Sequence, residues 1–128
     1  MNKVILTGNL VKDVEVRQTQ SGKEVVSNSI AVKRDFKDSD GNYPTDFINF
    51  VAWGSQATYL GDYAKKGDRL EIVGRWQVRT YEDQNGDKRT MNECLVESVS
   101  VFSKSEKQDQ KKQNKPKFEE VDDSDLPF

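Results

Sequence analysis

The chain has 128 residues, 34% hydrophobic and 33% charged, and its 20 Lys/Arg against 22 Asp/Glu give a formal net charge of −2. That size suits one domain at the polar end of the globular range. With one cysteine, Cys94, and no histidine, the chain has no material for a disulfide framework, a Cys/His zinc site or a nucleophile–histidine pair.

In chain order, the first segment, Met1-Asn2-Lys3-Val4-Ile5-Leu6-Thr7-Gly8, lacks a signal-peptide cleavage pattern, and no stretch approaches the ~18 apolar residues of a membrane span. The expectation is a cytoplasmic protein with no membrane partner. Val4 to Val16 reads as one long strand bent near Gly8, because glycine inside a strand marks curvature or a bulge. Gln20 to Lys23 is a turn, Val25 to Lys33 a second strand, Asp38 to Asn42 a loop and Phe47 to Trp53 a third strand.

Ser55 is placed to cap a helix in which Ala57, Leu60, Gly61 and Ala64 recur at helical spacing, with Gly67 as its stop. Tyr59, Tyr63, Lys65 and Lys66 fall on its solvated face. Arg69 to Tyr81 is a fourth strand, and Asn85-Gly86 a hairpin signal leading to a fifth from Arg89 to about Phe102. Apolar parity switches between Cys94/Val96 and Val99/Val101, which predicts a bulge near Glu97 or Ser98. Cys94 reads as core packing.

Five strands with one helix between the third and fourth is the order of an all-β OB-fold barrel. The domain is expected to end at residue 104. Residues 105–118 start with thirteen positions bearing no aliphatic or aromatic side chain before Phe118, the composition of a disordered linker. Residues 119–128 form an acidic tip. Residues 1–104 are neutral in sum, 105–118 carry +3 and 119–128 carry −5, so the acidity belongs to the tip and does not argue against nucleic acid binding by the domain.

On the third strand Ile48, Phe50 and Ala52 share one face, and Phe47, Asn49, Val51 and Trp53 the other. One row belongs outside a single barrel, as a second core, an oligomer interface or a platform for flat ligands. The fourth strand puts Leu70, Ile72, Trp76 and Val78 on one parity, with Trp76 expected in the core, and Glu71, Val73, Arg75, Gln77, Arg79 and Tyr81 on the other. Arg beside aromatic rings suits bases and phosphates, since rings stack on bases and cations follow the backbone. Lys33, Arg34, Phe36 and Lys37 repeat the mixture. Gly22-Lys23 lacks the Gly and Ser/Thr of a phosphate loop, and Asp38-Ser39-Asp40 opens a calcium loop that Tyr43 and Asn49 fail to complete. No catalytic, metal or cofactor site emerges, so a binding protein is expected. An RNA-binding module and a protein-only adaptor remain as alternatives at this level.

Asn2 to Leu10, Asp46-Phe47-Ile48-Asn49-Phe50-Val51-Ala52-Trp53, Val96-Glu97-Ser98-Val99 and the ending Asp122-Asp123-Ser124-Asp125-Leu126-Pro127-Phe128 together resemble the bacterial-type single-stranded DNA-binding proteins, chromosomal or phage-borne. The resemblance implies an OB domain assembling as a homotetramer, with base-stacking positions at Phe36, Phe47, Trp53 and Tyr81. Basic contacts are expected from Lys3, Lys33, Arg34, Lys37, Arg75 and Arg79. Asp122, Asp123, Asp125, Leu126, Pro127 and Phe128 are the expected docking site for replication, recombination and repair enzymes. The implied location is the bacterial nucleoid, or the host cytoplasm for a phage protein.

Overall fold

A computed structural model describes residues 1–102; the linker and tip expected from the sequence lie outside the described residues. The elements are β1 (Val4–Leu10), β2 (Arg17–Gln18), β3 (Glu24–Lys33), β4 (Thr45–Trp53), α1 (Ser55–Tyr63), β5 (Arg69–Glu82) and β6 (Lys88–Phe102). Apart from the two-residue β2, these are the five strands and the helix that periodicity predicts. Their sheet order is β1-β5-β6-β4-β3-β2, with a further β1–β3 pairing that closes the sheet on itself as an OB-fold barrel.

Closure depends on β1 changing neighbours. It pairs with β5 from Val4 to Asn9 and with β3 at Asn9 and Leu10. A Cβ at Gly8 would stand 2.5 Å from the Ala31 carbonyl oxygen, so only glycine admits this approach of two backbones. On the far side β4 and β6 meet in parallel, Phe50 beside Cys94 and Val51 beside Leu95.

The core is built from one parity of each strand: Val26 and Ile30, Phe50 and Ala52, Leu70 and Ile72, then Cys94, Val96 and Val99, with Ala57 and Leu60 of α1 laid against them. Fully burying one of the larger of these side chains contributes about 1.5–3 kcal/mol. Cys94 is core packing as expected, and burial pushes its thiol pKa up. The bulge also falls where parity predicts it. Val73 pairs with Ser98 and Gly74 with Val96, so Glu97 is the extra residue and the inward parity passes to Val99.

Four expectations are corrected. β1 ends at Leu10 and does not run on to Val16, because the Leu10 N–H donates to the Asp68 carbonyl (2.8 Å) and the Leu10 carbonyl accepts from the Gly67 N–H (2.8 Å). These bonds tie the strand end to the turn after α1. Ser55 is the first helical residue, not the cap; Gly54 holds that position at φ 60°, ψ −126° with no side-chain cap bond, a conformation reserved for glycine. Tyr59 does not belong to a solvated face: it packs against the core and its hydroxyl accepts the Val101 N–H at 3.2 Å. Trp76 does not lie in the core and is 38% exposed. β1 backs β5 only from Arg69 to Gly74, so beyond that point the inward parity of the hairpin faces no opposing wall.

Candidate nucleic-acid interface

The outward parity of β4 presents Phe47, Asn49, Val51 and Trp53, and their partners on β3 are Ala31, Ser29, Ser27 and Val25. Small neighbours beside Phe47 cannot cover its ring. Leu95 stands beside Val51 on one side and opposite Arg75 on the other, so the surface continues across β6 to Arg75, Gln77, Arg79 and Tyr81. Val51 is buried at its centre. Phe47 and Trp53 are six residues apart, about 20 Å along the strand. Phe36 is 83% exposed, Phe47 67%, and Trp53 and Tyr81 42% each, a large apolar area that the domain's own core does not use.

Polar side chains of these same rows brace the surface. The Ser29 hydroxyl donates to Asn49 Oδ1 at 2.7 Å, and Asn49 Nδ2 approaches Met91 Sδ at 3.7 Å. Glu93 is 3% exposed and accepts from Gln77 Nε2 at 2.7 Å, Arg79 Nε at 3.0 Å and Arg79 Nη2 at 3.3 Å. Burial alone would raise the Glu93 pKa, but the Arg79 and Gln77 hydrogen bonds outweigh it and hold the carboxyl below its ordinary value. The same bonds set the Arg79 guanidinium 5.6 Å from the centre of the Tyr81 ring, within cation–π range.

The loop between β3 and β4 is likewise braced. Arg34 Nε and Nη2 both donate to Asp46 at 2.9 Å, a fork that holds the Asp46 carboxyl below the usual range. The Arg34 N–H donates to the Pro44 carbonyl at 2.8 Å, and the Asp38 N–H to the Asn42 carbonyl at 2.7 Å. Asp38 Oδ1 accepts from the Asp40 and Asn42 N–H groups at 2.9 and 3.0 Å. Just beyond this turn Tyr43 has Lys33 Nζ 5.4 Å and Lys37 Nζ 5.7 Å from its ring centre.

The model of the single-strand binding protein family matches residues 1–102, the whole of this barrel. The chain belongs to that family. It is 37% identical over 138 residues to single-stranded DNA-binding protein 3 of Streptococcus agalactiae serotype V, covering 100% of this chain and 99% of the relative. Single-stranded DNA-binding protein 1 of Streptococcus pyogenes serotype M18 is 42% identical over 104 residues, 81% of this chain and 80% of that one. Single-stranded DNA-binding protein 1 of Lactococcus lactis subsp. lactis is 35% identical over 149 residues, 100% of this chain and 99% of its own length.

In this family member the residues singled out from sequence do not all stand in the same electrostatic state. Phe47 and Trp53 on β4 and Tyr81 on β5 lie on the outward parity, and Phe36 lies in the adjoining loop. Arg34, Arg79 and Lys3 are ion-paired, to Asp46, Glu93 and Glu97 respectively. Lys33, Lys37 and Arg75 have no carboxylate partner among the described residues. Two participants escape the sequence pattern: Glu93, an acid on a face sought for its cations, and Tyr43, separated from its lysines by the loop that folds it back on them. Among the described residues no helix is long and apolar enough to cross a membrane.

Proposed function

We propose that this chain coats single-stranded DNA without regard to sequence, protecting unwound strands during replication, recombination and repair. The observation that carries this is the continuous outward face on which exposed Phe47, Trp53 and Tyr81 alternate with arginines and polar groups. Each base stacked on a ring contributes about 1–3 kcal/mol, and every base has a face to offer. Lys33, Lys37 and Arg75 take phosphates directly, while Arg34, Arg79 and Lys3 do so only by sharing or leaving their carboxylates. Phe36 extends the path into the loop.

The proposed assembly is a homotetramer. Its support is β1, whose edge from Val4 to Thr7 has no strand beside it opposite β5 among the described residues, next to an exposed Ile5 side chain. Such an edge is a template for another strand. Asp122, Asp123, Asp125, Leu126, Pro127 and Phe128 are proposed to dock partner enzymes, since the proline restricts a segment that offers an aromatic ring and negative charge. The proposed organisation is a DNA-binding domain over 1–104, a linker over 105–118 and a tip over 119–128, acting in the cytoplasm.

Titration with oligo-dT, followed by tryptophan fluorescence, tests the central claim. Quenching should saturate, weaken as salt rises, and be competed poorly by duplex or RNA of equal length. Trp53→Ala should weaken binding by about 1–3 kcal/mol with little change in thermal midpoint. Equal affinity for duplex would overturn the proposal, and equal affinity for RNA would reassign the ligand.

A further inference from the structure

The geometry points to Tyr43 as a further nucleotide-stacking position, the centre of a Lys33–Tyr43–Lys37 cluster that prolongs the single-strand path beyond Phe47. The inference rests on the proposed binding of single-stranded DNA and adds to it a residue and a direction.

Position is the first argument. Lys33 pairs with Thr45 and Ala31 with Phe47, so Lys33 stands on the same outward row as the residue facing Phe47, two residues or about 7 Å further along β3. Both Lys33 and Lys37 lie beside the Tyr43 ring. A strand leaving Phe47 toward this end of the sheet therefore reaches cations and then an aromatic, the same alternation as on the sheet itself.

Exposure and bracing are the second. Tyr43 is 43% exposed and is not among the residues packed on the core, so folding of the barrel does not account for the ring. The Arg34–Asp46 fork, the Arg34 to Pro44 backbone bond and the Asp38 turn fix the loop on both sides of it, which reduces the ordering entropy left for binding. Neither lysine has a carboxylate partner among the described residues. Each ammonium can swing to a phosphate with only the modest loss of a solvent-exposed cation–π contact, uncovering ring surface for a base.

The test compares the full-length wild type, Tyr43→Ala and Tyr43→Phe on oligo-dT and on an abasic oligonucleotide of equal length, by fluorescence anisotropy. Tyr43→Ala should weaken oligo-dT binding about tenfold and Tyr43→Phe less than about twofold, since the stacking face and not the hydroxyl is used. On the abasic strand all three proteins should bind alike, because the lysines are untouched. Oligo-dT binding by Tyr43→Ala at the wild-type level overturns the inference. So does an equal loss on both strands, which would assign Tyr43 to holding the loop, or an equal loss in both variants, which would assign the contact to the hydroxyl. Failure of the wild type itself to bind oligo-dT would instead remove the underlying function, so the two outcomes are distinguishable.

Discussion

Glu93 shows how one side chain sets the character of the interface. An acid on a DNA-binding face would repel phosphate, but this one is buried and its charge is answered by Arg79 and Gln77, so it orients a guanidinium against Tyr81. Its pKa is lowered in the folded protein, so the unfolded chain binds the proton more readily. The stabilisation is therefore present above the ordinary glutamate value and is lost as pH falls through the lower folded value. Glu93→Gln should cost about 1–2 kcal/mol at neutral pH, discounted because Arg79 is half exposed. The variant should also unfold with a shallower acid dependence than wild type. Thermal unfolding of both proteins across the acid range checks this; parallel profiles would remove Glu93 as the titrating group. The sequence does not single out Glu93, since nothing local indicates that Gln77 and Arg79 of the neighbouring strand close over it.

Among the elements, β1 and the β5–β6 hairpin mark what periodicity can and cannot tell. The parity switch in β6 located the Glu97 bulge because a bulge changes the side-chain alternation itself. Gly8 was legible as a bend, but not its cause: the partner carbonyl, on Ala31, lies far along the chain. Gly8→Ala should destabilise the barrel by about 1–3 kcal/mol, as overpacking does, because the atom met is backbone and cannot swing aside. Chemical denaturation measures the loss, and wild-type stability would mean that β1 can draw away from β3 without penalty. Where β1 ends was not legible, since the Leu10 backbone bonds go to Asp68 and Gly67, more than fifty residues along the chain. The helix start was displaced by one residue for a related reason: Ser55 is a good cap by type, yet the sharp turn after Trp53 needs the backbone conformation that Gly54 supplies.

For the whole molecule, charge is the organising quantity. Residues 1–104 are neutral while the last ten residues carry −5, so under the proposed function the polymer is held by the neutral part of the sequence and repelled by the acidic one. Removal of residues 119–128 should accordingly leave the thermal midpoint unchanged and oligo-dT affinity no weaker, while abolishing capture of replication and repair enzymes by the immobilised chain. Affinity measurements and pull-downs on the two lengths test this, and undiminished capture by the shortened chain would assign docking to the barrel.

The sequence by itself determined the order of elements, the two parities of each strand, the hairpin, the bulge and the absence of histidine chemistry. These are properties of short stretches, fixed by backbone geometry and the two-residue repeat. Only the tertiary structure decided that Trp76 is left partly exposed beyond the end of β1, that Tyr59 turns inward, that Arg34, Arg79 and Lys3 are paired while Lys33, Lys37 and Arg75 are not, and that Tyr43 has two lysines beside its ring. Burial and ion pairing depend on what distant strands and loops place opposite a residue, and the barrel brings those segments together only on closing.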